Sequence, residues 1–160
     1  MIRVQREDFD VGREIERLTA GNHGIGGIAS FIGTVREGAS HDGARTQIGA
    51  ITLEHYPGMT ERQLEAIEAE ARARWPLDAV LIIHRFGRLE PGDRIVLVVT
   101  ASSHRQAALD ACAFLIDWLK TKAPFWKLED TAEGAHWVEA RATDDDAAAR
   151  WQQPASKVAE

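Results

Sequence analysis

Leu119-Lys120-Thr121-Lys122-Ala123-Pro124-Phe125-Trp126-Lys127 gathers lysines around a proline at the end of an apolar periodic segment. The residues before it, Ala107, Ala108, Ala111, Cys112, Leu115 and Leu119, recur at helical spacing. Pro124 pushes Ala123 out of the α region, so the helix stops there with Lys120 in its last turn. Lys127 then lies beyond the bend on a short extended segment. A chain reversal between the two lysines can bring both ammonium groups to one anionic ligand. Lysines near a helix C-terminus are also favoured by the macrodipole and commonly just face water, so the stretch alone marks a candidate site and no more.

Upstream of it, Ser103 and Gln106 form a capping-box pattern that places His104 and Arg105 in the first turn of the same helix. Free backbone N–H groups and the positive end of the dipole would let an anion bind there. A surface ion pair of Arg105 is an equal reading of those residues. Residues 80–86 and 94–100 read as two apolar strands joined by the turn Glu90-Pro91-Gly92-Asp93. Tyr56-Pro57-Gly58-Met59 is another turn, after which Thr60 and Gln63 make a capping box opening a helix that buries Leu64, Ile67, Ala71 and Trp75 and ends at Pro76. Residues 28–35 and 48–56 read as strands flanking a glycine-rich polar loop, 36–47. Residues 2–5 form a short strand, and Asp10 caps a weak helix to Ala20 that buries Ile15 and Leu18. After the bend, 127–129 and 136–139 are short strands. Asp144-Asp145-Asp146 and the alanine-rich residues beyond suggest fraying or a partner-dependent helix. Strands and helices mix without regular βαβ spacing, which makes an α+β fold the better expectation than a doubly wound sheet.

At 160 residues and 44% hydrophobic, the chain can bury one sizeable core, taken here as a single domain over 1–141 with a polar, acidic tail over 142–160. A formal charge of -6 disfavours a nucleic-acid partner but leaves room for a local basic pocket. No apolar run is long enough to span a bilayer, and Met1-Ile2-Arg3-Val4-Gln5 lacks a signal-peptide layout, so a cytoplasmic protein is expected. Cys112 is the sole cysteine and sits mid-helix as a buried small hydrophobe, so sulfur chemistry would need sulfur from elsewhere. The glycines of Gly21-Asn22-His23-Gly24-Ile25-Gly26-Gly27 precede a strand and no Gly-Lys-Ser/Thr follows, which argues against a phosphate loop. The six histidines show no helical pair spacing, so no metal is expected, and no cofactor is called for. The tryptophans read as core and interface residues, with Trp126 alone close enough to the lysines to line a pocket.

The words Lys120-Thr121-Lys122-Ala123-Pro124-Phe125-Trp126-Lys127, Leu53-Glu54-His55-Tyr56-Pro57-Gly58-Met59, His104-Arg105 and Trp137-Val138-Glu139-Ala140-Arg141 closely resemble the large, catalytic subunit of molybdopterin synthase. The resemblance covers nearly the whole chain and keeps the family's order. It implies an α/β-hammerhead architecture with an additional antiparallel β section. It also implies sulfur transfer: a small ubiquitin-like partner carries a C-terminal Gly-Gly thiocarboxylate, which converts cyclic pyranopterin monophosphate into dithiolene-bearing molybdopterin. A central dimer of this subunit with one small partner at each end is part of the same implication. Lys120 and Lys127 carry over as catalytic residues, the first to move protons and the second to stabilise developing negative charge. Arg36, His104, Arg105, Lys120, Lys127, Leu128, Glu129 and Arg141 carry over as substrate-binding residues, with Arg141 able to reach the neighbouring subunit's pocket. Thr34 and Leu128 stand where a lysine and an arginine can occur in the family, which removes positive charge beside the expected pocket. Two other readings of the residues stay open: a Schiff-base enzyme using Lys120, and a non-catalytic receptor for a ubiquitin-like tail.

Overall fold

The two most apolar segments of the chain are buried on both faces, and the rest of the molecule is layered on them. The computed structural model describes residues 1–37, 48–131, 134–138 and 148–152. Its strands are β1 (Ile2–Gln5), β2 (Gly27–Thr34), β3 (Ile48–His55), β4 (Ala79–Arg85), β5 (Gly87–Leu89), β6 (Arg94–Ser102), β7 (Phe125–Thr131) and β8 (Gly134–Val138). Its helices are α1 (Val11–Thr19), α2 (Met59–Arg74) and α3 (Arg105–Lys122), with a 3₁₀ turn at Arg150–Gln152.

The first sheet has the order β1-β4-β6-β2, parallel at β1–β4 and antiparallel elsewhere. Period-2 alternation divides its two faces. Val80, Ile82 and Val98 point to the face covered by α2 and α3, where Leu64, Ile67, Phe114, Leu115 and Trp118 complete the core. Leu81, Ile83, Leu97 and Val99 point to the other face, where Phe9 and α1 cover them. The second sheet is fully antiparallel, in the order β5-β3-β7-β8. It joins the first through a small core of Val35, Ile51, Leu53 and Leu89 with Ile95 packed on it. The expected α+β class therefore holds, and the second sheet is the additional antiparallel β section.

Several local expectations are corrected. A third strand, β5, intervenes between the two apolar strands, because Gly87 takes a positive φ of 89° and turns the chain toward β3. The turn at 90–93 forms as expected, with Asp93 accepting from the Glu90 N–H and Gly92 at a φ of 92°. Neither capping box beginning at Thr60 or Ser103 exists. α2 starts earlier, with the Glu61 carboxylate accepting from the Gly58 N–H at 2.6 Å. Thr60 is buried instead, its hydroxyl accepting from the Tyr56 N–H at 3.2 Å. At α3 the N-cap is His104, without a side-chain cap, while Gln106 reaches forward to Asp110. Within the segment expected to fray or await a partner, residues 148–152 dock on this chain's own core. Trp151 packs edge-on against Trp75 and Phe114, and its indole N–H donates to Asp117 at 2.7 Å.

Candidate active site

α3 runs its 18 residues along β2 and β6 and ends where sequence expects. Ala123 leaves the helical region at ψ 127°, the Phe125 N–H donates to the Ala123 carbonyl at 2.8 Å, and the chain re-enters a sheet as β7. Lys120 is exposed on the last turn before this bend, and Lys127 is half-buried just after it. Side chains two apart on a strand share a face, so Lys127 and Glu129 stand together. The Lys127 Nζ lies 2.6 Å from Glu129 Oε1, and the carboxylate is almost fully buried. Lys127 pairs across the ladder with Leu53 and Glu129 with Ile51, both of the core that Val35 enters.

That shared core locates Arg36. β2 passes antiparallel to β6, from Gly27 opposite Ser102 to Thr34 opposite Arg94, and α3 returns from the end of β6 along both strands. The exposed Arg36, following Val35, therefore lies at the end of the fold where α3 finishes and the face bearing Lys127 begins. Leu128 is not part of this grouping. Strand alternation turns it to the opposite face, opposite Thr52 and Trp137. Trp126 shares that face and meets Tyr56 edge-on at 5.0 Å, leaving both rings exposed.

His104 and Arg105 are exposed at the other end of α3. The glycine run before β2 has its physical reason here. A Cβ on Gly26 would lie 2.2 Å from the Ser103 carbonyl oxygen, and one on Gly27 would lie 3.1 Å from Arg105 Cα. Gly26 also donates to the Ser102 carbonyl at 3.0 Å. The run is thus a seat for the start of α3. From Arg105 to Lys120 the helix rises about 22 Å, at about 1.5 Å per residue. Within one chain Lys127 pairs with Glu129, Lys120 and Arg36 stand at the end of the fold where α3 stops, and His104 and Arg105 stand at its other end. Arg141 lies outside the described residues.

Other titratable groups divide between structure and site. Burial pushes the Cys112 thiol up to about 11, so it stays protonated and inert as expected of a core residue. Burial holds His84 at about 4, so its ring is neutral near pH 7. Sequence reading set His84 aside with the scattered histidines. The overlooked signal is a histidine closing the apolar run Leu81-Ile82-Ile83. Among the described residues, no three His, Cys, Asp or Glu side chains converge as a metal site requires.

A family model described as MoaE protein matches residues 4–122 of this chain. The molybdopterin synthase catalytic subunit of Pseudomonas aeruginosa is 57% identical over 152 residues, which span 95% of this chain and 99% of that protein. Among solved structures, the molybdopterin biosynthesis MoaE protein from Burkholderia ambifaria matches with a TM-score of 0.80 at 52% identity, covering 96% of this chain and 98% of that one. One chain of the complex of subunits 1 and 2 of molybdopterin-converting factor from Helicobacter pylori has the same fold, with a TM-score of 0.69 at 19% identity over 88% of this chain and 91% of that one.

Proposed function

The chain belongs to the MoaE protein family, and from that premise we propose that it is the catalytic subunit of a molybdopterin synthase. It takes sulfur from the C-terminal thiocarboxylate of a small ubiquitin-like partner and places it on cyclic pyranopterin monophosphate to make the dithiolene of molybdopterin. The observation that carries this reading is the bend at Ala123–Phe125, with Lys120 on one side, the Glu129-held Lys127 on the other, and Arg36 at the same end of the fold. Cations so placed suit two anionic reactants, and fixing both reactants removes most of the entropic cost of their meeting. Lys120 moves protons as sulfur adds and oxygen leaves. Lys127 stabilises negative charge on the substrate. Glu129 serves the site by holding Lys127, since a carboxylate is a poor direct ligand for phosphate. Two sulfurs are needed per product, so a spent partner leaves and a fresh one binds. The Helicobacter pylori complex of two subunits supports a partner-dependent enzyme.

His104 and Arg105 enter through a second copy of the chain, the role that the resemblance also implies for Arg141. The length of α3 keeps His104 and Arg105 from sharing one phosphate with Lys120 in a single protomer. Among the described residues β2 is an edge strand, and its Ile28, Phe31 and Ile32 are exposed. A two-fold axis pairing this edge antiparallel with its copy would set the Gly27 end of one protomer beside the Thr34 end of the other. His104 and Arg105 of one protomer would then face Lys120 of its partner. The cytoplasmic location expected from sequence belongs to this reading, and among the described residues no helix is long and apolar enough to cross a membrane.

The test is to incubate the protein with a thiocarboxylated small partner and cyclic pyranopterin monophosphate and to assay for dithiolene. Product forming only with all three components supports the reading. Tight binding of the partner without any product would reduce the protein to a tail receptor.

A further inference from the structure

The bend between the two lysines rests on a half-buried layer of rings to which the proposed reaction gives no role. The Phe125 ring lies nearly parallel to His84, with centroids 3.7 Å apart and planes 14° from parallel. The His84 Nδ1 is 2.9 Å from the Arg85 carbonyl oxygen, which fixes the ring plane and places the proton on Nδ1. His84, the next-to-last residue of β4, lies on the face that carries α2 and α3, two positions beyond Ile82 of that core. From the second sheet, His55 pairs with Phe125 across the ladder and also packs its ring 4.3 Å from Phe86. From α2, the buried Thr60 hydroxyl faces the Pro124 carbonyl at 3.5 Å. Three elements thus close on two successive residues, Pro124 and Phe125.

We propose that His84 is a positioning residue for sulfur transfer: its stack on Phe125 fixes the bend and with it the placement of Lys120 relative to Lys127. The inference rests on the functional reading above for its consequence in rate. Lys120 precedes the bend and Lys127 follows it, so a rotation at Phe125 swings one ammonium relative to the other. Misplacement on the scale of 1 Å can cost about a hundredfold in rate. A histidine suits the position better than a second phenylalanine because Nδ1–H ties the ring to the backbone while the neutral face stacks. Nearby groups fit a neutral ring: His55 on β3, whose Nε2 is 3.9 Å from Glu61 of α2, and Arg6, whose guanidinium lies over Phe86.

Two variants separate positioning from simple stability. His84→Leu removes both stack and tether, and His84→Phe keeps the stack alone. In the assembled enzyme we expect His84→Leu to lower kcat about tenfold with KM for the small partner unchanged, and His84→Phe to recover most of that loss. Hydrogen exchange supplies a readout independent of turnover. Amides of residues 123 and 125–127 should exchange faster in His84→Leu and return toward normal in His84→Phe, with the centre of α3 unchanged. Equal losses of kcat in the two variants, or a loss in His84→Leu that only tracks the folded fraction by circular dichroism, would overturn the proposal. Unchanged exchange at 123 and 125–127 would also overturn it. If the unaltered protein makes no dithiolene, the functional reading fails instead, and the exchange arm still decides whether His84 holds the bend.

Discussion

The two ends of α3 carry cations by different means. At the C-terminal end, a proline stops the helix and a strand begins at once, so Lys120 and Lys127 are set by a bend with layers packed beneath it. At the N-terminal end, His104 and Arg105 stand on a helix start that has no side-chain cap and is seated against Gly26 and Gly27. One end is held by side chains that fill space, the other by glycines that leave space empty. On the proposed reading, each end alone is half of an anion site. Breaking either should produce its own pattern of loss.

The largest effect belongs to the bend. Lys120→Ala should lose about 10²- to 10⁴-fold in dithiolene formation, the range of a proton-transfer group, while keeping its thermal midpoint because the side chain is exposed. Near-normal turnover by the folded variant would remove Lys120 from the chemistry.

Subunit exchange tests whether the two ends of α3 serve one protomer or two. Take Lys120→Ala and Arg105→Ala, each impaired alone, and let their subunits exchange. If the ends meet across a two-fold axis, each mixed dimer regains one intact site; random mixing makes half the dimers mixed, so roughly a quarter of full activity returns. Activity no greater than the mean of the parents would place both residues in one protomer's site.

Acid should distinguish the ends next. His84 is held at about 4 in the folded protein against an ordinary value of 6.5, so the unfolded chain binds the extra proton between those values. Its contribution is therefore fully present above about pH 6.5 and is lost as pH falls toward 4, on the order of 3 kcal/mol in all. Unfolding free energy measured across that window should slope less in His84→Phe. Parallel slopes would show that another group governs acid sensitivity.

Gly26→Ala tests the other seat. Its Cβ would meet a backbone oxygen at 2.2 Å, so the start of α3 or the entry to β2 must shift, at a cost of about 1–3 kcal/mol. Affinity for the pterin phosphate should fall more than kcat, because only the His104 and Arg105 end moves. A variant as stable as the original would mean that the chain relaxes there without strain.

These tests also follow what the sequence made legible. Pro124 breaks a helix by a local steric rule, so the bend, Lys120 in the last turn and Lys127 on a strand could all be read directly. The strands at 80–86 and 94–100 were equally readable, because burial on both faces writes a continuous apolar run. The reason for Gly26 was not, since it depends on Ser103, far along the chain. Nor was β5, three residues long and defined by its partner β3. Both capping boxes failed because a pattern of residue types cannot say whether a hydroxyl faces its helix or, as Thr60 does, the interior. His84 was missed for the same reason: its meaning lies in the ring stacked on it.

The smallest expected effect concerns Glu129, where sequence resemblance offered a substrate ligand and the structure offers a clamp. Its carboxylate is nearly buried and sits 2.6 Å from Lys127 Nζ, so in the absence of substrate it partly offsets the charge of that lysine. Glu129→Gln keeps an oxygen able to accept from the ammonium but removes the negative charge. Lys127 should then attract the anionic pterin more strongly and be aimed less well. We expect KM for the pterin to fall and kcat to fall, each by about threefold, the size of a partly exposed ion pair. Lys127→Ala should instead raise KM, because a cation is lost. Opposite movements of KM in the two variants identify Glu129 as the holder of Lys127, and a rise in both would return it to the role of a direct ligand.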